Sequence, residues 1–94
     1  MLNVFVREKV KNHEKWLKGF NEDASNRKGS LGGTIFQLDK DPNQHYIIFE
    51  WEDRKNLDSF LKFLESDAMK PILEKAGVIE HEHYVCEKVT KFKK

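Results

Sequence analysis

The chain has 94 residues with Lys+Arg 17 against Asp+Glu 16, a net charge of +1, which suits one small domain (residues 1–94) and leaves no field of one sign to hold a polyanion. That balance argues against nucleic acid as a partner. Hydrophobic residues at 38% and aromatic residues at 12% support a core of marginal size, for which a partner subunit is a common source of further burial.

Leu2 to Val10 reads as a first β-strand. Leu2, Val4, Val6 and Val10 mark one face, and Asn3, Phe5, Arg7 and Lys9 the other. Asn12 is an N-cap for a first helix, with Lys15 at the capping-box position. His13, Trp16, Leu17, Phe20 and Ala24 recur at helical spacing and form its apolar stripe. The polar run from Ser25 to Ser30 ends the helix, and Gly29, Gly32 and Gly33 permit the tight turns that follow. Thr34 to Leu38 is a second strand, with Ile35 on one face and Phe36 and Leu38 on the other. Asp39 to Gln44 is a hairpin connection in which Pro42 sets a type I turn.

A third strand follows from His45. Its apolar residues Tyr46, Ile47, Ile48 and Phe49 are consecutive, so both of its faces ask for burial. Asp53 caps a second helix with Leu57, Phe60, Leu61 and Leu64 as its stripe. Ser66 or Asp67 caps a short third helix carrying Met69, Ile72, Leu73 and Ala76. With the cap at Asp67, Pro71 falls at the fourth helical position, where no intrahelical N–H bond is lost. Gly77 closes that helix, Val78 to Val89 is the last strand, and Lys91 to Lys94 is a basic tail.

The order is β-α-β-β-α-(α)-β, the ferredoxin-like βαββαβ arrangement of the α+β class. Both main helices lie on one face of a four-stranded antiparallel sheet. The second face, carrying Phe5 and half of the third strand, would then meet water, as surfaces reserved for a partner do. A homodimer in which two sheets face each other and enclose a barrel-like interior is the expectation.

The single Cys86 excludes an internal disulfide and a Cys-based zinc cluster, and fits a reducing compartment. Its position within a strand favours a small buried side chain over a nucleophile. The first residues enter a strand pattern directly, without the regions of a signal peptide. No apolar run approaches the roughly 18 residues of a membrane span. A cytoplasmic protein without a membrane partner is expected.

The third strand ending Glu50-Trp51-Glu52-Asp53, the Asp41-Pro42-Asn43 hairpin, Trp16 and Phe20 in the first helix, and Ala76-Gly77-Val78 before the last strand resemble the antibiotic biosynthesis monooxygenase (ABM) domain of the dimeric α+β barrel superfamily. The resemblance spans roughly residues 2 to 90. It implies a ferredoxin-like protomer, a face-to-face dimer and a ligand pocket between sheet and helices. Members include cofactor-independent oxygenases acting on quinol- or anthrone-like aromatics, heme-degrading monooxygenases, and proteins with no assigned activity. The superfamily also holds isomerases and polyketide cyclases. Heme-degrading members carry a Trp early in the second helix and a His on the next. Those positions hold Phe60 and Leu73 here, and residues 54 to 76 contain no His, so heme iron would lack its axial nitrogen. Glu50 directly precedes Trp51, whereas many relatives have Glu one residue earlier.

Cofactor-free oxygenation needs a base to form a substrate carbanion and donors to hold an oxyanion. His83 is the candidate base and Asn3 or Arg7 the candidate donor, with Phe5, Trp51, Tyr84 and Phe60 as candidate lining of the substrate pocket and no cofactor. The plainer reading of the same residues makes Trp51 core, Tyr84 a half-buried strand residue and Arg7 the partner of a nearby carboxylate. His13 reads as a packing residue of the helical stripe, and His45, beside a turn, as solvent-exposed. His81 and His83 alternate on one face of the last strand, Glu80 and Glu82 on the other. Two His at this spacing can share a metal, but no further ligands are apparent, and no metal site is expected. RNA-recognition modules share the element order, but the run Gln44 to Trp51 lacks their glycine and carries Glu50. Gly29, Gly32 and Gly33 follow a helix and form no phosphate cradle. A small-molecule monooxygenase is the leading expectation. The alternatives are a non-catalytic binding or regulatory dimer and, more weakly, an acid–base isomerase or cyclase.

Overall fold

The computed structural model describes residues 2–94. The elements run β1 (Leu2–Val10), α1 (His13–Glu22), a 3-10 turn (Ala24–Arg27), β2 (Ser30–Leu38), β3 (Asp41–Trp51), α2 (Arg54–Leu64), α3 (Met69–Ala76) and β4 (Val78–Glu87). The four strands form one sheet in the order β2-β3-β1-β4, with every neighbouring pair antiparallel. This is the expected α+β, ferredoxin-like arrangement.

Local chemistry accounts for the helix ends. The Asn12 side chain accepts from the Lys15 N–H at 2.9 Å, and Asp53 accepts from the Asn56 N–H at 2.8 Å, each satisfying a donor that the first helical turn leaves free. Gly77 ends α3 with φ 75°, a left-handed conformation that costs glycine nothing. Its carbonyl accepts from the Lys11 N–H at 2.9 Å and ties the start of β4 to the end of β1.

The helices cover one face of the sheet. Val4, Val6 and Val10 of β1 and Ile47, Phe49 and Trp51 of β3 meet Trp16 of α1 and Leu57 and Phe60 of α2 in one buried cluster. The aromatic rings follow one another as tilted pairs, with Phe20–Phe49, Phe49–Phe60 and Trp51–Phe60 centroids 5.9, 5.1 and 4.9 Å apart.

Several boundaries differ from the sequence expectation, each for a local reason. β2 begins at Ser30, so Gly32 and Gly33 lie within the ladder and not in a turn. Gly32, at φ 97°, sits where the register shifts, as a bulge glycine does. Gly33 opposes Phe49 so closely that an added Cβ would stand 1.8 Å from the Ile48 carbonyl oxygen. The hairpin turns on Asp39 and Lys40 alone, and β3 starts at Asp41. Pro42 therefore lies in the strand, beside a second register shift where it need not donate, and its carbonyl accepts from Gln37 Nε2 at 2.9 Å. α3 starts at Met69 behind Ala68, which makes no side-chain cap. The Ser66 and Asp67 backbone carbonyls accept from Met69 and Lys70 instead, and Pro71 becomes the third helical residue, still among those needing no donor. Ala24 is exposed in the 3-10 turn, and β4 stops at Glu87.

The other sheet face is uncovered. Across the strands it presents Phe36, Tyr46, Arg7 and Glu82 in one row and Thr34, Ile48, Phe5 and Tyr84 in the next. Phe5, Phe36, Tyr46 and Tyr84 are 40%, 51%, 42% and 57% exposed, so the apolar character anticipated for this face lies open in the single chain. Among the described residues no helix is long and apolar enough to cross a membrane.

Candidate functional site

Between the covered sheet face and the helices lies a cavity of about 460 Å³. Val6, Ile47 and Phe49 form its floor, and Trp16, Phe20 and Phe60 belong to its walls. Its size and aromatic lining suit a small apolar molecule.

One set of polar groups at this cavity comes from β1 and β4. Strand alternation sends position 8 to the same side as Val4 and Val6, so Glu8 is buried. Antiparallel pairing sets His81 directly opposite it and His83 opposite Val6. Glu8 Oε1 accepts from Trp16 Nε1 at 2.8 Å, and Glu8 Oε2 lies 2.6 Å from His81 Nδ1. His81 Nε2 is 3.0 Å from His83 Nδ1, and His83 Nε2 is 3.4 Å from Glu65 Oε1 just beyond α2. The four side chains grade outward from 7% exposed at Glu8 through 14% and 20% at the histidines to 67% at Glu65. They form one chain of proton-carrying groups from the cavity wall to solvent. An ionised Glu8 only accepts, so its partner His81 carries hydrogen on Nδ1. His83 then donates from Nδ1 to His81 Nε2, a tautomer pattern that follows from the partners present.

A second histidine pair stands nearby. His13 Nδ1 is 2.7 Å from His45 Nε2, and the His45 ring stacks on Trp16 at 4.2 Å. His45 is fully buried, which overturns its expected exposure. The reason is parity: β3 extends back to Asp41, and His45 shares the covered face with Ile47, Phe49 and Trp51. Burial, and next the neighbouring His13, hold the His45 pKa below its ordinary value. His13 packs on α1 as anticipated, and its ring joins the Trp16 aromatic cluster.

The sheet divides the residues singled out from the sequence. His83, Trp51 and Phe60 lie on the helix side. Asn3, Phe5, Arg7 and Tyr84 lie on the open face, so His83 does not stand beside Asn3 or Arg7. Trp51 is core, its ring against Phe60 and away from the cavity lining. Arg7 bonds Glu80 at 3.0 Å and Glu82 at 2.9 Å, and Tyr84 donates its hydroxyl to Glu82 at 2.8 Å. These contacts raise the Arg7 pKa, through Glu82 first, and lower that of Glu82. The Glu82 carboxylate in turn raises that of Tyr84. Asn3 sits between Glu50 and Cys86, and Cys86 is half-buried. Glu8 is the residue that sequence reading passed over. Its place in the Val4-Val6-Val10 alternation was the available signal. Among the described residues no group of three or more His, Cys, Asp or Glu side chains is placed to hold a metal ion.

No family model and no curated protein sequence matches the chain. Solved structures do. The chain is similar to SnoaB, a cofactor-independent oxygenase from Streptomyces nogalater, with TM-score 0.71, 17% identity, and 99% of this chain and 97% of that chain covered. It is also similar to a candidate antibiotic biosynthesis monooxygenase from Nitrosomonas europaea, with TM-score 0.67, 15% identity, and 96% and 100% covered. A third, from Bordetella bronchiseptica, gives TM-score 0.69 at 13% identity, with 95% and 97% covered. Over nearly its whole length, the chain therefore has the fold of the antibiotic biosynthesis monooxygenase domain.

Proposed function

We propose that the chain is a monooxygenase acting on a small aromatic, quinol- or anthrone-like molecule held between sheet and helices, with neither metal nor flavin taking part. The observation that carries this reading is the buried Glu8–His81 pair on the wall of an aromatic cavity. The shared fold with the oxygenase SnoaB supports it. In this reading two chains pack their open sheet faces together, and the homodimer closes the barrel.

Glu8 is the base. Two of its lone-pair sites are taken by Trp16 and His81, which leave the carboxylate fixed in orientation with capacity to accept a substrate proton. A C–H bond of an activated methylene breaks, the proton goes to Glu8 and the electron pair stays on carbon. The carbanion reduces dioxygen and forms a C–O bond, giving a peroxide. Loss of the second C–H proton with O–O cleavage then leaves a carbonyl and one water. One CH₂ and one O₂ give one C=O and one H₂O, so no outside reductant enters. Glu8 returns that proton to the peroxide oxygen, so both C–H protons end in the water, and His81, backed by His83, holds the carboxylate in place. Asn3 and Arg7, on the other sheet face, have no part in the step.

Oxygen uptake with a panel of anthrones and hydroquinones tests the reading. Glu8→Gln is expected to lower the rate by about 100-fold or more, the scale of a lost general base. His83→Phe is expected to lower it less, with partial recovery on adding imidazole. No uptake across the panel would leave the non-catalytic binding dimer as the better description.

A further inference from the structure

The cavity has a second polar end. Arg27, in the 3-10 turn after α1, borders both the main cavity and a smaller recess under Gly33, Ile35 and Ile48 of β2 and β3. The sheet order β2-β3-β1-β4 therefore sets Arg27 toward one side of the cavity, with Glu8 and His81 toward the other. The guanidinium lies over the Phe20 ring, 4.0 Å from its centroid, and Nη2 donates to the Phe20 carbonyl at 3.0 Å. Four of its five N–H donors remain for other partners.

Arg27 differs from the other two arginines. Arg7 holds Glu80 and Glu82, and Arg54 holds Asp58. Among the described residues no carboxylate lies within ion-pair distance of Arg27; Asp23 acts on it only at longer range. Burial lowers the Arg27 pKa, a sign that its charge is incompletely solvated where it stands. Glu22 and Asp23 also border the cavity, but neither pairs with Arg27, and a half-buried guanidinium on an aromatic wall with free donors is complementary to a planar acid.

We infer that Arg27 receives a carboxylate of the bound molecule, so that the cavity takes an aromatic acid, its ring against Phe20 and Trp16 and its reacting carbon toward Glu8. The inference rests on the cavity being the small-molecule site proposed above. It adds a substrate class, a quinol- or anthrone-like ring bearing a carboxylate, and a residue that selects it.

Calorimetric titration of the full chain with 2-naphthoate and with its neutral isostere 2-naphthamide tests this without knowledge of the natural substrate. The wild type is expected to bind the carboxylate about tenfold more tightly or better, the scale of hydrogen bonds to a charged group. Arg27→Gln should erase that preference and leave naphthamide affinity within about twofold. Equal affinities in the wild type, or a preference that survives Arg27→Gln, would overturn the inference and leave the cavity intact as a site. Equal weakening of both probes would also overturn it, since Arg27 would then merely hold the end of α1 through the Phe20 carbonyl. Binding of neither probe would sink the small-molecule cavity itself and the assignment with it. Should Arg27→Gln not fold, Arg27→Lys keeps the charge without the planar fork, and its carboxylate preference is expected to fall.

Discussion

His45 shows how one side chain links packing to pH. It is fully buried against Trp16, 2.7 Å from His13. Burial and then His13 lower its pKa in the folded chain; the Pro42 carbonyl, Glu8 and Asp41 act in the opposite sense and are outweighed. The unfolded chain binds that proton near pH 6.5, so it holds more protons than the folded chain below that value. The contribution to stability is therefore complete above about pH 6.5 and is lost as pH falls from there toward the depressed folded value. Urea unfolding between about pH 7.5 and pH 5.5 should show a falling midpoint, and His45→Gln should flatten that slope. An equal slope in the variant would mean that other groups carry the acid sensitivity. Residue identity alone did not reveal this role. The parity of His45 with Ile47 and Phe49 was legible, but its neighbours arrive from α1, 32 residues earlier. Glu8 is the same case, since its partners Trp16 and His81 lie 8 and 73 residues away.

At the scale of elements, apolar periodicity and cap chemistry located the helices, though the start of α3 and the end of α1 fell elsewhere than expected. Asn12, Asp53 and Gly77 act at the ends assigned to them because a cap is a contact within a few residues. The β2–β3 hairpin was less legible. Glycines there serve the ladder and its bulge, and a strand glycine looks like a turn glycine until its partner strand is known. Gly33→Ala is the discriminating substitution, since the new Cβ would collide with the Ile48 carbonyl. Thermal or urea unfolding should show a loss of about 1–3 kcal/mol, the scale of overpacking in a closed site. A loss of a few tenths, as for an exposed turn, would show that β2 does not pair with β3 as closely as described.

For the whole molecule, the open sheet face is the surface on which the proposed dimer would form. Phe5, Tyr46, Phe36 and Tyr84 give it an apolar centre, with the Arg7–Glu80–Glu82 ion pairs beside it. Single exposed apolar residues are ordinary, but rows of them on one sheet are not. Sedimentation equilibrium at micromolar concentration should give twice the 11.2 kDa chain mass, and Phe5→Glu with Tyr46→Lys should halve it. A wild-type monomer would remove the facing-sheets arrangement from the proposal and leave the helix-side cavity untouched. The sequence by itself determined the element order, the antiparallel α+β class and the existence of a second apolar face, because period and caps are local properties of the chain. Only the tertiary structure decided which polar residues meet. Strand register sent Asn3 and Arg7 to one face and Glu8, His81 and His83 to the other, and a side-chain period of two makes that outcome turn on a single residue of shift.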